Sequence, residues 1–474
     1  TNDTEALVSK DSVLQAAKDV QVQADNASLV QDIKTLVNVG GTAAGLQASG
    51  LIQKDTAVAR TDSGSTLTAT KGNVTVDAKN KRTERTLTGN IAAGGAGIGA
   101  AANVVQATEL AQAQLHGNAN AAKVQVHAAN TEDVISAGAG VSAAMSFGAA
   151  LSANVHMGLD RAVAEIGDGT NDVVIQAADT AVMAENNGTR RTLGANMAAS
   201  GLGALAGGAD IGIFKNDTIA AIRDNVKIAK TEDARADSVS VKAVNTQDNK
   251  GFSGNAALAG VAGAGASLTI TTYGNEKNDN ASQDQQDYLD AVNKNMGFMT
   301  EAENTGAITK TVKDSDGKDK EVVEARKSRG TTMSTMIKDH GSELGITASA
   351  DGIAEEAGAE TGTQAKIGAA VIKSNTLTVQ ADDNITHKGI TGAVAAAGIA
   401  SIGAAVNVTS IHDTTEASIG RNADLAVGSM DVQANTTHSV TSNVVAGGAA
   451  IALAAAGAGS WNTDSSNTIA HMDA

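Results

Sequence analysis

The sequence predicts an all-β chain: an elongated β-solenoid of about seven Gly/Ala-rich units of roughly 50 residues, broken by one α+β insertion. Three observations carry that expectation. A short phrase, apolar-x-apolar-x-Ala, recurs along the chain. Each copy is followed by a Gly/Ala-rich block. Proline is absent from all 474 residues. The two-residue period of the phrase is that of a strand with one buried face. Proline removes a ladder donor and is kept out of central strands, so a chain made mostly of paired strands has reason to lack it.

The phrases begin at Val20, Val74, Val124, Val173, Val239, Leu377 and Met430, and each ends in alanine (Ala24, Ala78, Ala128, Ala177, Ala243, Ala381, Ala434). Their starts lie 54, 50, 49, 66, 138 and 53 residues apart. After each phrase comes a polar stretch such as Lys79 to Arg85, then the Gly/Ala block, as in Gly89 to Ala102 or Gly392 to Ala405. A third phrase of the form Ala-x-Ile/Leu follows, as in Ala113-Gln-Leu115, Ala164-Glu-Ile166 and Ala417-Ser-Ile419. Turn residues, as in Gly167-Asp-Gly-Thr-Asn-Asp172, then lead to the next unit.

The Gly/Ala blocks read as strands. From Val394 to Val408 every second residue is Val, Ala, Gly or Ile, an alternation that predicts one strand with a small-residue face. A buried helix and a membrane span are the alternatives, and Val440 to Asn462 is long enough and uncharged enough to span. Ala and Gly are weakly apolar, Asn and Ser interrupt the blocks, and no basic flank sets an orientation. No membrane span is therefore expected.

The 138-residue spacing exceeds one unit, and the excess lies between Gly274 and Gly362. The expected organisation is solenoid repeats over 1–273, an inserted α+β subdomain over 274–362, and repeats again over 363–474. Within the insertion, Asp284 to Met296 and Met333 to Leu344 read as helices. Lys310 to Val323 reads as a hairpin around Asp316-Gly317. Insertions in repeat proteins often carry the contacts, so Tyr288, Phe298 and Asp316 are the candidate contact residues, with Tyr273 at the edge. The 66-residue spacing predicts a smaller insertion at Lys227 to Asp237.

Composition narrows the chemistry. A net charge of −17 argues against nucleic acid and against adsorption to anionic lipid. The absence of cysteine excludes disulfides, thiolate metal sites and cysteine nucleophiles. The eight histidines have no ligand spacing, and those in strand phrases, His127, His156 and His471, are expected to point outward. Gly167 to Asp172 resembles a calcium-binding turn, but such sites need tandem copies and this one stands alone. Asp314-Ser-Asp316-Gly-Lys-Asp319 lacks the closing Glu of a calcium loop. A β-helix carbohydrate-active enzyme would need aromatic sugar platforms, and the chain has four Phe, two Tyr and one Trp. No catalytic residue, cofactor or metal is expected. Thr1-Asn-Asp-Thr-Glu lacks a basic start and an apolar run, so a targeting segment is expected elsewhere in a longer protein.

Three stretches carry a family resemblance: Gly392-Ala-Val-Ala-Ala-Ala-Gly-Ile-Ala-Ser-Ile-Gly-Ala-Ala-Val-Asn-Val408, Ala417-Ser-Ile-Gly420 and Val432-Gln-Ala434. From Asn73 onward, outside the insertion, the units resemble the repeats of leukotoxin-type filamentous adhesins, related to the filamentous haemagglutinins of Gram-negative bacteria. The resemblance implies a secreted, cell-surface exoprotein with a β-helical shaft, exported by a dedicated outer-membrane transporter. Its partners would be host or bacterial surface proteins and glycans. It carries over no functional residue. A leukotoxin-like cytotoxin segment is the second reading. If the Gly/Ala blocks are stacked strands, amides from Gly392 to Val408 will be protected in hydrogen-exchange measurements. Coil-like exchange there would exclude the strand reading.

Overall fold

The computed structural model describes residues 1–274, 308–313, 319–324 and 361–473. The chain forms two compact units, one of Thr1–Asn275 with Glu360–Ala474 and one of Glu276–Ala359. No helix occurs among the described residues. In the larger unit the strands join one sheet whose pairings are parallel.

The first full pass explains the pattern. Val20–Thr61 is one continuous strand by its ladder, yet it folds back on itself. Ser28 donates to Asp55 (2.6 Å), Gln53 donates to Ser28 (2.7 Å) and Lys34 donates to Ser49 (3.2 Å). These contacts place the reversal between Val39 and Ala43, at Gly40-Gly41. Each pass thus has an outgoing arm, a turn at the Gly/Ala block, a return arm and a short closing strand such as Thr66–Ala69.

Successive passes stack in register. Val20, Val74, Val124, Thr180, Val239, Leu377 and Met430 pair in one row across the outgoing arms. On the return arms Ala59, Ala113, Ala164, Ala220, Ala365 and Ala417 form another. Strands in inner passes are bonded on both sides, so a proline there would break a ladder.

The register corrects three expectations. The fourth phrase, Val173 to Ala177, is not in the outgoing row. Its place is taken by Thr180-Ala-Val182-Met-Ala184, while Val173–Gln176 pairs with Val226–Ala229 in the row of closing strands. Both stretches alternate alike, and the length of the preceding turn decides which one meets Val124. The extra length before Val239 is then only a small turn, in which the Lys230 amide donates to the Ala234 carbonyl (3.0 Å), rather than all of Lys227 to Asp237. Val394 to Val408 is also not one strand. Val371–Ala397 ends at the Gly398-Ile399 bend and Ala400–His412 returns. A Cβ on Gly403 would lie 3.1 Å from the Ala393 carbonyl oxygen across the interior.

The interior changes character along the arms. At the closing-strand end it is aliphatic: Val74, Val76 and Ala78 cluster with Ala111, Leu115 and Leu67. At the turn end it is narrow and lined by Ala150, Ala198, Ala206, Ala257 and Ala395. Between them it is polar and organised along the stack. Asn26, Asn80, Asn130, Asn186 and Asn245 occupy one row. Asn80 donates to Asn130 (3.2 Å) and Asn130 to Asn186 (2.9 Å). On the return arms Asn103 donates to Asn154 (3.2 Å) and Asn154 to Asp210 (2.9 Å). An amide carries both a donor and an acceptor, so identical side chains stacked at strand spacing satisfy one another.

The chain leaves this stack at Gly274 and re-enters at Gly362. Both glycines have positive φ, 89° and 85°. A Cβ on Gly274 would collide with the His412 carbonyl, and one on Gly362 with that of Thr414. Thr363 resumes the return row between Thr218 and Thr415. In the smaller unit Ile308–Lys313 pairs antiparallel with Asp319–Glu324. The helices expected at Asp284 to Met296 and Met333 to Leu344 lie outside the described residues.

Asn130→Ala removes the middle of the asparagine row and leaves Asn80 without its acceptor there. It should cost about 1–3 kcal/mol, read as a lower chemical-denaturation midpoint. Thr131→Ala, on the exposed side of the same arm, should change stability by less than about 0.5 kcal/mol.

Candidate functional site

The largest gathering of chemistry is inside the stack. The parity that turns Val74, Val76 and Ala78 inward also turns Asn80, Arg82 and Glu84 inward, and Glu132 pairs beside Arg82. The Arg82 guanidinium meets Glu84 (3.1 Å), Glu109 (2.5 Å) and Glu132. One row further on, Arg190 meets Glu132 and Asp160, donates to Gln247 (2.6 Å) and lies 4.3 Å from the Phe214 ring centroid. Gly188, in the same row as Glu132, leaves the space that the Gln247 and Arg190 side chains fill.

Burial sets the proton inventory. Loss of solvent pushes Glu84 up against the pull of Arg82. It pushes Glu109 up to about 8, with Asp160 adding to the rise. His156, wholly buried and facing Arg82 and Arg190, is held well below its ordinary value and is neutral. An aromatic row continues along the stack. His156 to Phe214 is 5.5 Å between centroids, Phe214 to Tyr273 5.6 Å and Tyr273 to His387 5.8 Å. The Tyr273 hydroxyl and His387 Nδ1 are 2.9 Å apart, and burial lowers His387 to about 4. These groups are sealed from solvent, so the box fastens adjacent passes and offers no open atom to a substrate.

His156 therefore faces inward, against the outward expectation, because it alternates in step with Ser152, Asn154 and Asp160, the internal positions of its return arm. Tyr273 is fully buried and is no contact anchor. Tyr288, Phe298 and Asp316 lie outside the described residues. The Asp168 turn is closed on itself. Asp168 Oδ1 accepts from the Thr170 and Asn171 amides, each at 2.8 Å. A small burial penalty is outweighed by these bonds, which hold the carboxyl far below its usual range.

On the surface, a recess of about 650 Å³ lies over His116, Glu165, Arg223 and Lys366. Its charges are engaged with one another. Glu165 accepts from Arg223 (2.8 Å) and Gln114 (2.7 Å) and lies 3.2 Å from His116, while Lys366 lies 3.4 Å from Glu416. Burial works to raise Glu165, but His116 and Arg223 overcome it and keep the carboxylate ionised. It is a base with its lone pairs occupied and not a poised general acid. Among the described residues, no group of three or more His, Asp or Glu is arranged to hold a metal.

Comparison with protein-family models, with curated proteins and with solved structures finds no match.

The interior box was missed because charge was read as surface. The signal was available: extending the parity of Val74-Val76-Ala78 by three steps reaches Arg82 and Glu84. One surface histidine gives a pH signature. Burial would lower His127, but hydrogen bonding to Asp77 (2.9 Å) and contact with Glu185 (3.6 Å) raise it to about 9. Its folded value exceeds its unfolded one, so this stabilisation is complete below about pH 6.5 and lost as pH rises through about 9. Thermal melts of wild type should fall between pH 6.5 and 9, and His127→Gln should flatten that slope.

Proposed function

We propose that this chain is a shaft segment of a large secreted bacterial surface adhesin. In this reading the larger unit is a β-solenoid that carries contact surfaces away from the cell and mediates adhesion or aggregation. Host or bacterial surface proteins and glycans are its partners. The insertion, with Tyr288, Phe298 and Asp316, is the specialised contact. The protein works outside the cell, reached through an outer-membrane transporter.

The observation that carries the reading is the unbroken parallel register from Val20 through Met430. Each pass presents its two edges to its neighbours, so passes can be added without redesigning the core. The reading is non-enzymatic. Glu109, Asp210 and Asp413, whose burial pushes their carboxyls up, face the interior and are at most 6% exposed. A general acid must reach its substrate.

The exposed aliphatic side chains on the outer faces favour one second reading, a segment that acts on host membranes. Purified chain should bind immobilised surface glycans or proteins saturably, leave dye-loaded phosphatidylcholine vesicles intact and release no reducing ends from glycans. Dye leakage would support the membrane-active reading. Glycan cleavage would overturn the shaft reading.

A further inference from the structure

The outer face of the outgoing arms is apolar where it nears the Gly/Ala turn. Ile33, Leu87, Leu193, Phe252 and Ile390 share one outward row, with Ala137 between Leu87 and Leu193. Leu87, Leu193, Phe252 and Ile390 are each 39–44% exposed. Four residues along, Val37, Ile91, Met197 and Val394 form a second ridge, 45–61% exposed, in the row that also holds Val141 and Ala256. Between the ridges run Gly89, Ala139, Ala195, Gly254 and Gly392, a groove that the Phe252 ring covers at Gly254 and that stands open at Gly89 and Gly392.

The fold does not require glycine at two of these positions. A Cβ on Gly89 would meet nothing closer than 3.6 Å, and one on Gly392 nothing closer than 3.9 Å. Neither has positive φ. Glycine inside a strand weakens it and often marks close approach of another backbone. Among the described residues no such backbone comes closer than 3.9 Å to a Cβ at either point.

We propose that this face pairs with the same face of a second copy, the ridge of one seated in the groove of the other. A ridge–groove–ridge surface is complementary to itself, as an isologous contact requires. The relief recurs at the strand spacing from Leu87 to Ile390, so another copy matches it over these five inner passes; Thr35 stands in the groove row of the first pass, and Asn443, Val445 and Gly447 hold the three rows of the last. The face is free of charge from Leu87 to Val104 and from Gly389 to Ile411. It is bordered by Arg85, Arg191, Lys250 and Lys388 in one row. Arg85 is paired with Asp133 at 2.5 Å and Lys250 with Asp248 at 3.1 Å, which makes this border a mixed-charge rim. Seven residues by five passes, at about 3.3 Å and 4.8 Å, give roughly 550 Å² per copy. At about 1,100 Å² in total this is the size of the weaker, reversible interfaces, which fall below ~1,200 Å². The net charge of −17 disfavours an anionic lipid surface as the occupant. The pairing stands on geometry alone and does not rest on the adhesin reading.

The test is the oligomeric state of the full chain by sedimentation velocity across micromolar concentrations. Wild type should sediment as a dimer. Gly89→Val with Gly392→Val fills the groove with a residue that strands favour, and should leave the melting curve unchanged while raising the dimer dissociation constant at least tenfold. Leu193→Asp should do the same from the ridge side. A monomeric wild type overturns the proposal. So does a dimer indifferent to these substitutions, which would place association at the open ends of the stack. A monomer that co-sediments with phosphatidylcholine vesicles, and loses this on Leu193→Asp, assigns the face to lipid instead and also overturns it.

Discussion

The structure depends on a single constraint: each side chain must tolerate its own row. Parallel, in-register stacking places every residue about 4.8 Å from its counterparts in the neighbouring passes. Aliphatic side chains meet this easily, as in the Val20, Val74 and Val124 row. Asparagine meets it because each amide is both donor and acceptor. Buried charge meets it through counter-ions from the facing arm: Asp55, Glu109 and Asp160 share one row, and Arg82 and Arg190 reach across to it. Arg82 stands in the row of Glu132, Arg190 in that of Glu84, and Arg190 reaches back to Glu132. Removing one partner from such a buried group is typically more costly than replacing all of them.

The same constraint produces an unusual division of polarity. Near the Gly/Ala turn the two arms approach closely, as shown by Gly140, where a Cβ would sit 3.0 Å from the Leu151 carbonyl. Only alanine, serine, glycine and asparagine fit between them. The larger aliphatic residues of these blocks are therefore displaced to the outside, where Ile91, Met197 and Val394 stand exposed. A chain that places polar groups inside and aliphatic ridges outside over half of each pass presents surface for contact with other molecules.

Much of the architecture was legible because the fold is periodic in one dimension. The alternating phrases located the aliphatic core, and the Ala-x-Ile phrases located the return row from Ala113 to Ala417. The break in rhythm located Gly274 and Gly362. Errors arose where alternation is ambiguous. Val173 to Ala177 and Thr180 to Ala184 both alternate, and only the path through the preceding turn separates them. Val394 to Val408 keeps its alternation through a reversal, so its periodicity carries no sign of the bend.

The sequence by itself determined that this is a proline-free, strand-built repeat with small-residue blocks, because period and composition are local properties. Tertiary structure alone decided which side chains face each other. Arg82 finding Glu109, or Tyr273 meeting His387, depends on two arms meeting across an interior, and His156, Phe214 and Tyr273 line up only because their return arms stack. The turn of the third pass carries one residue more than that of the second, Ala144 to Phe147 against Gly94 to Ala96, and that residue decides which parity of the return arm is buried. The ridges and groove likewise exist only across passes, since no single pass contains more than one residue of each row.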